Sequence, residues 1–158
     1  MRFEDFHMID RIVALDLSGR SIRSVGLVPE AKSSTILQGH FPGYPLMPGA
    51  LLLESMAQTA GWLLIALNGF TAMPFMAGAK DAKFRSAVLP GEAIEFEGRV
   101  IHEGSGYAVG EGKGRRDGKV VCNAQIIFTI MPFPSDAFRD ALRARGERLE
   151  LPVKELAR

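Results

Sequence analysis

Between residues 50 and 67 the chain reads ALLLESMAQTAGWLLIAL, apolar at most positions. A Pro/Gly-rich stretch precedes this run and Asn68-Gly69 follows it, so the pattern predicts one long buried helix from about Gly49 to Leu67. Elsewhere the spacing shortens to the period of strands. Residues 11–17 (RIVALDL) and 21–28 (SIRSVGLV) flank Ser18-Gly19-Arg20 and predict a hairpin. Residues 29–39 are small and polar and predict a loop. Residues 74–87 are extended with partial alternation, and Leu89-Pro90-Gly91 is a turn. EAIEFEGRVI (92–101) alternates apolar with charged, the mark of a half-buried strand. Residues 106–115 give a weaker strand signal because they hold four glycines. Asp117-Gly118 predicts a second hairpin turn, leading into KVVCNAQIIFTI (119–130), the longest strand candidate. One helix among antiparallel strands is an α+β architecture. After Met131-Pro132-Phe133-Pro134, Ser135 reads as an N-cap and DAFRDALRAR as a short amphipathic helix stopped by Gly146. That helix is expected to bury Ala137, Phe138, Ala141 and Leu142 and turn its arginines to water. The last ten residues read as a loose end.

Composition narrows the class. The 158 residues suit one domain, 1–158, with a short helical C-terminal extension from about 132. A net charge of +1 gives no reason to expect nucleic acid. A single cysteine, Cys122, excludes an intrachain disulfide and a cysteine metal set, suits a reducing compartment, and reads as a small buried hydrophobe. Acidic residues in MRFEDFHMID, with no apolar run after them, predict an unexported, cytoplasmic protein. Residues 50–67 touch the length of a membrane span, but Glu54, Ser55, Gln58 and Thr59 interrupt them, which favours a helix buried inside the domain.

The chemistry centres on the same helix. Glu54, Gln58 and Gly61 share one face, with Leu51, Leu52, Leu53, Met56, Ala57 and Trp62 around them. Two readings stay open: Glu54 lies on a narrow wet stripe beside Gln58, or it is held dry and protonated, able to give a proton. His40 precedes FPGYPLMPG, whose three prolines and two glycines fix one backbone path to the helix N-terminus. Free N–H groups at Gly49 and just after it suit a developing negative charge. A base, an acid and an oxyanion site thus fall within fifteen residues, the parts needed for proton abstraction beside a carbonyl. His7 and His102 read as structural or exposed.

HFPGYPLMPGALLLESMAQ (40–58) resembles the active-site segment of the bacterial 3-hydroxyacyl-[acyl-carrier-protein] dehydratases, a hot-dog fold family. MIDRIVALD resembles that family's first strand, FMAGAKDAKFRSAVLPGEAIEFEG its segment after the helix, and DGKVVCNAQIIFTI its last strand, so the likeness covers about residues 5 to 131. The resemblance implies a hot-dog fold, an antiparallel sheet wrapped around one long central helix. It implies dehydration of a 3-hydroxyacyl thioester carried on the phosphopantetheine of acyl carrier protein, in fatty acid or lipid biosynthesis, with no metal or redox cofactor. It further implies a homodimer with active sites at the interface, where His40 of one chain faces Glu54 of the other; further assembly into a trimer of dimers is left open. By the same likeness the Gly49 N–H meets the thioester oxygen, the Leu46 carbonyl accepts from His40, and Gln58 steadies Glu54. The related isomerising dehydratase usually has Asp in place of Glu54, so dehydration alone is expected. Ala87 and Glu92 depart from the family's usual Pro and Asp and bear on loop shape.

Around this site, Lys80, Lys83 and Arg85, and Arg139, Arg143 and Arg145, are candidates for meeting an acidic carrier, or are solvated surface charges. Phe70, Phe75, Met76 and Phe84 line an acyl tunnel or belong to the core. Two rival activities keep their place: a hot-dog thioesterase, which hydrolyses the thioester, and a non-catalytic module that binds acyl chains.

Overall fold

The computed structural model describes residues 1–156. Six strands form one antiparallel sheet: β1 (Arg11–Asp16), β2 (Ser21–Leu27), β3 (Met73–Phe84), β4 (Ala93–Gly104), β5 (Tyr107–Arg116) and β6 (Lys119–Met131), in the order β1-β2-β4-β5-β6-β3. A short α1 (Thr35–Gly39) precedes the long α2 (Gly49–Leu67), and α3 (Asp136–Arg148) and α4 (Val153–Leu156) follow the sheet. The sheet packs on α2, whose Leu52, Met56, Ala60, Leu63 and Leu64 are buried in the core with Ile22, Ile94, Phe96, Ile126 and Phe128. This is the α+β hot-dog arrangement of one helix sheathed by an antiparallel sheet. The apolar run of residues 50–67 is therefore the buried spine of the fold. Its polar interruptions on the sheet side are satisfied locally: Ser55 donates to the Leu51 carbonyl (2.9 Å) and Thr59 to the Ser55 carbonyl (2.8 Å), with Ser24 Oγ 2.7 Å from Thr59 Oγ1.

The glycines that weaken the strand signal are what lets α2 sit so close. A Cβ at Gly112 would lie 2.7 Å from Met56 Cβ, one at Gly110 3.3 Å from Ala60 Cβ, and one at Gly98 3.2 Å from Ala60 Cα. At interior packing density these positions have no room for a side chain. Cys122 is buried in the same layer, its Sγ 3.8 Å from Met56 Sδ, and burial pushes its thiol up to about 11. Ala87 and Glu92, the two departures in the loop before β4, are tied by one residue. Arg116 donates to the Ala87 carbonyl (2.8 Å) and to Glu92 Oε2 (2.6 Å), which also accepts from the Leu89 N–H (2.7 Å).

The structure corrects the reading of residues 29–39 and of the tail. α1 forms where a loop was expected, because the Ser34 hydroxyl accepts from the Leu37 N–H and Leu37 is buried. α3 begins at its expected Ser135 cap but runs past Gly146 to Arg148. Gly146 is a packing position: a Cβ there would lie 3.0 Å from Val153 Cγ2 and 3.2 Å from Trp62. The helix also faces the other way. Ala137, Phe138 and Ala141 are exposed, while Arg139, Arg143 and Arg145 are half-buried with Leu142. The arginine stems supply the packing surface, and the Arg143 guanidinium lies 5.7 Å from the Phe70 ring centroid. Of the expected loose end, Leu149, Leu151 and Val153 are buried; Ala157 and Arg158 lie outside the described residues.

Gly112→Ala should destabilise the fold by about 1–3 kcal/mol, read as a lower urea midpoint at unchanged slope; a loss below about 0.5 kcal/mol would show that α2 does not press on β5. Cys122 should resist alkylation at pH 8 until the protein is unfolded. Labelling of the native protein at the rate of a free thiol would contradict its burial.

Candidate active site

The Pro/Gly-rich loop is held at both ends. The His40 N–H closes α1 on the Ile36 and Leu37 carbonyls, the Leu46 N–H donates to the His40 carbonyl (2.9 Å), and the Met47 N–H donates to the Val88 carbonyl (2.8 Å). This path brings the half-buried His40 ring to the Leu46 carbonyl, 3.1 Å from Nδ1. A carbonyl only accepts, so Nδ1 carries the proton and Nε2 keeps its lone pair. Phe41 stacks on the ring, with centroids 4.3 Å apart, and restricts its tilt. The His40–Leu46 contact is the one the resemblance implies, and it fixes which nitrogen of the neutral ring is able to take a proton.

α2 then opens with Pro48 as its N-cap and no side-chain cap. The Leu51 and Leu52 N–H groups both return to the Pro48 carbonyl (3.0 and 3.2 Å), which leaves Gly49 and Ala50 without an intrahelical acceptor. Gly49 lies under the Phe84 ring, 3.2 Å from where its Cβ would be. It lines a shallow cavity with Leu46, Met47, Leu52, Phe84 and Arg85. A side chain on Gly49 would press into that ring and into the approach to the helix N-terminus.

One and two turns further along, Glu54 and Gln58 line a second cavity of about 360 Å³, on the side of α2 opposite Met56. Its walls are mostly apolar, among them Trp62, Ile65, Phe75, Met76 and Phe128, so Glu54 is a carboxyl in a largely hydrophobic space. It is half-buried, and Gln58 Nε2 donates to its Oε1 (2.9 Å). Gln58 is anchored in turn to the N-terminal segment: Nε2 donates to the Phe6 carbonyl (2.9 Å) and Oε1 accepts from the Met8 N–H (3.3 Å). Phe138, Leu142 and Arg145 close the cavity from α3.

The structure thus brings the named residues together in two groups. His40, Leu46 and Gly49 cluster at the start of α2, while Glu54 and Gln58 share the cavity beyond, which His40 does not line. Of the four tunnel candidates, Phe75 and Met76 line the Glu54 cavity, Phe84 lines the one at Gly49, and Phe70 is core. Lys80, Lys83 and Arg85 are exposed. His102 is exposed against Tyr107, and His7 is half-buried beside Arg2, its basicity lowered by burial and by Arg145 and Arg2. Arg145 was grouped with surface charges, and its spacing on an amphipathic helix carried no signal that it turns toward Gln58. Trp62 and the N-terminal Phe6 and Met8 were missed as parts of the site because only contacts across the chain reveal them.

A model of the FabA-like domain matches residues 2–125 of the chain. Over 128 residues the chain is 39% identical to the 3-hydroxyacyl-[acyl-carrier-protein] dehydratase FabZ of Shewanella sp. strain W3-18-1, covering 77% of this chain and 80% of that one. The protein of the same name from Shewanella oneidensis is also 39% identical, with the same coverage. Among solved structures, a hypothetical thioesterase protein of Streptococcus pneumoniae with coenzyme A superposes with a TM-score of 0.61 at 15% identity, over 79% of this chain and 90% of that one. That likeness shows a shared fold and no more. The family model spans most of the described residues, including both halves of the site, and the dehydratases match at far higher identity than the thioesterase, so the chain belongs to the FabA-like family.

Proposed function

We propose that the protein is a 3-hydroxyacyl-[acyl-carrier-protein] dehydratase that converts its substrate to the trans-2-enoyl thioester in fatty acid biosynthesis. The observation that carries the reading is a lone carboxyl, Glu54, held by Gln58 in a largely apolar cavity of a chain akin to FabZ. A carboxyl there suits proton transfer to a leaving hydroxyl.

The geometry supports the following roles. His40 Nε2 takes the proton from C2 of the acyl chain, while its Nδ1–H stays on the Leu46 carbonyl. The electron pair moves onto the thioester oxygen, which receives the Gly49 N–H at the helix N-terminus. Collapse of that enolate forms the C2–C3 double bond and breaks the C3–O bond. Glu54 gives the departing hydroxyl a proton through Oε2, directly or by way of a water, because Oε1 is engaged by Gln58. The proton on His40 then passes to Glu54, directly or by exchange with solvent, which restores both groups, and water is the only by-product. Each positioned acid or base of this kind contributes about 10²–10⁴-fold.

Base and acid come from two chains in this reading. Within one chain His40 is not a wall of the Glu54 cavity. β3 lies at the edge of the sheet and exposes Phe75, Met76 and Phe84 to either side of the charged Lys80, Asp81 and Lys83, an unpaired edge open to a partner strand. A second copy paired there completes a site with His40 from one protomer and Glu54 from its partner. Arg85, lining the Gly49 cavity, and the exposed Lys80 and Lys83 on β3 offer positive charge to an acidic acyl carrier protein. Such a protein works in the cytoplasm, where carrier and substrate are made.

With 3-hydroxyacyl-carrier protein, the wild type should form the 2-enoyl product, and His40→Ala or Glu54→Gln should each lower kcat by about 10²–10⁴-fold while remaining folded. Free thiol release in place of enoyl product would assign a thioesterase; bound acyl chains with no turnover would assign a binding module. Co-expression of the two mutant chains should restore activity, because each mixed dimer regains one intact site. A mixed dimer as inactive as its parents would place base and acid in the same chain.

A further inference from the structure

The side chain of Gln58 uses all of its hydrogen-bonding capacity. Its Nε2 donates to Glu54 Oε1 (2.9 Å) and to the Phe6 carbonyl (2.9 Å), and its Oε1 accepts from the Met8 N–H (3.3 Å) and from Arg145 Nη2 (3.2 Å). Only one seating of the amide satisfies this set, since the reverse would set N–H groups against the two donors. Arg145 Nη2 also reaches the Phe6 carbonyl (3.3 Å), so the guanidinium and the amide clasp the same stretch of N-terminal backbone.

Arg145 is held there against opposition. Burial weakens its charge, as do Arg148 and Arg2 nearby, and Glu54 is the neighbour that favours it. The segment carrying it is firmly seated. Gly146 packs on Trp62 and Val153, and Leu149 and Leu151 are buried just beyond. The residues matching the FabA-like domain end at 125, so Arg145 enters the cavity from a segment past that region.

We propose that Arg145 is a positioning residue for the acid, acting through Gln58. A charged donor on Oε1 polarises the amide and strengthens the N–H bond from Nε2 to Glu54, because hydrogen bonds in a chain reinforce one another in a low-dielectric site. The result is a carboxyl fixed in rotamer, with Oε1 engaged and Oε2 free for the substrate. The proposal rests on the reading of Glu54 as the acid, and it makes the C-terminal helix part of the catalytic apparatus of this chain.

The test uses the full-length protein as wild type, Arg145→Ala, Arg145→Lys, Gln58→Ala and the double variant Arg145→Ala/Gln58→Ala. Kinetics are read beside the side-chain amide resonances of Gln58 in ¹⁵N-labelled protein. Arg145→Ala should lower kcat about tenfold with KM changed less than about twofold, and Arg145→Lys should recover part of the loss. On the Gln58→Ala background the same change should lower kcat less than about twofold further, since the intermediary is gone. The Gln58 amide resonances should shift in Arg145→Ala. A kcat for Arg145→Ala within about twofold of wild type, or an equal loss on both backgrounds, would overturn the relay. If Arg145→Ala does not fold, Arg145→Lys carries the comparison: a lowered kcat with shifted Gln58 resonances supports the relay, and wild-type values for both overturn it. If the wild type does not dehydrate the substrate, the function above fails while the relay is still decided by the resonances, shifted in support or unmoved against it.

Discussion

Everything in this molecule depends on how closely α2 is seated on its sheet. Met56 and Ala60 meet bare backbone at Gly98, Gly110 and Gly112, with no side chain between. A helix pressed this tightly on one side cannot rotate, because any turn would drive a side chain into a strand. The face opposite Met56 is therefore fixed too, and it carries Glu54, Gln58 and Gly61 into the cavity. A carboxyl in a mostly apolar space is tolerated because it is hydrogen-bonded and because the rest of the helix is so well buried. The precision needed for proton transfer is thus inherited from core packing.

The helix N-terminus is the second product of the same constraint. Fixing α2 fixes where Gly49 and Ala50 point, and the loop from His40 to Pro48 is tied to that end by the Leu46 and Met47 hydrogen bonds. The loop carries no regular structure, yet its position is as determined as that of a strand. In the proposed reading, one rigid helix thereby supplies both the oxyanion site at its start and the acid near its second turn. A similar frame occurs in a hypothetical thioesterase, and fold alone does not choose the reaction. The choice lies in what stands on the free face of the helix.

Much of this was legible in the sequence. The bounds of α2 follow from Gly49 and Asn68-Gly69, and the hairpins at Ser18-Gly19 and Asp117-Gly118 register the strands beside it. The grouping of Glu54 with Gln58 follows from helical spacing alone. What stayed hidden depends on contacts between distant segments. Glycines in β5 read as a weakness until Met56 is seen against them. The arginines of α3 read as a solvated face because an amphipathic pattern does not say which side a neighbouring surface will accept. Here Phe70 and Gln58 accept the arginines, and Phe138 keeps one side to solvent at the rim of the Glu54 cavity. Gly146 reads as a stop until Trp62 is found packed on it. The separation of His40 from the Glu54 cavity was likewise beyond reach, since spacing along a chain does not distinguish pairing within one copy from pairing between two.

The central claim is that this free face works on the C2–C3 bond and leaves the thioester intact. Running the reaction in reverse in H₂¹⁸O, from 2-enoyl-carrier protein, tests it most directly by mass spectrometry of the products. One ¹⁸O is expected at the C3 hydroxyl of an acyl chain still joined to its carrier. Label in a released carboxylate, with the carrier thiol set free, would contradict it.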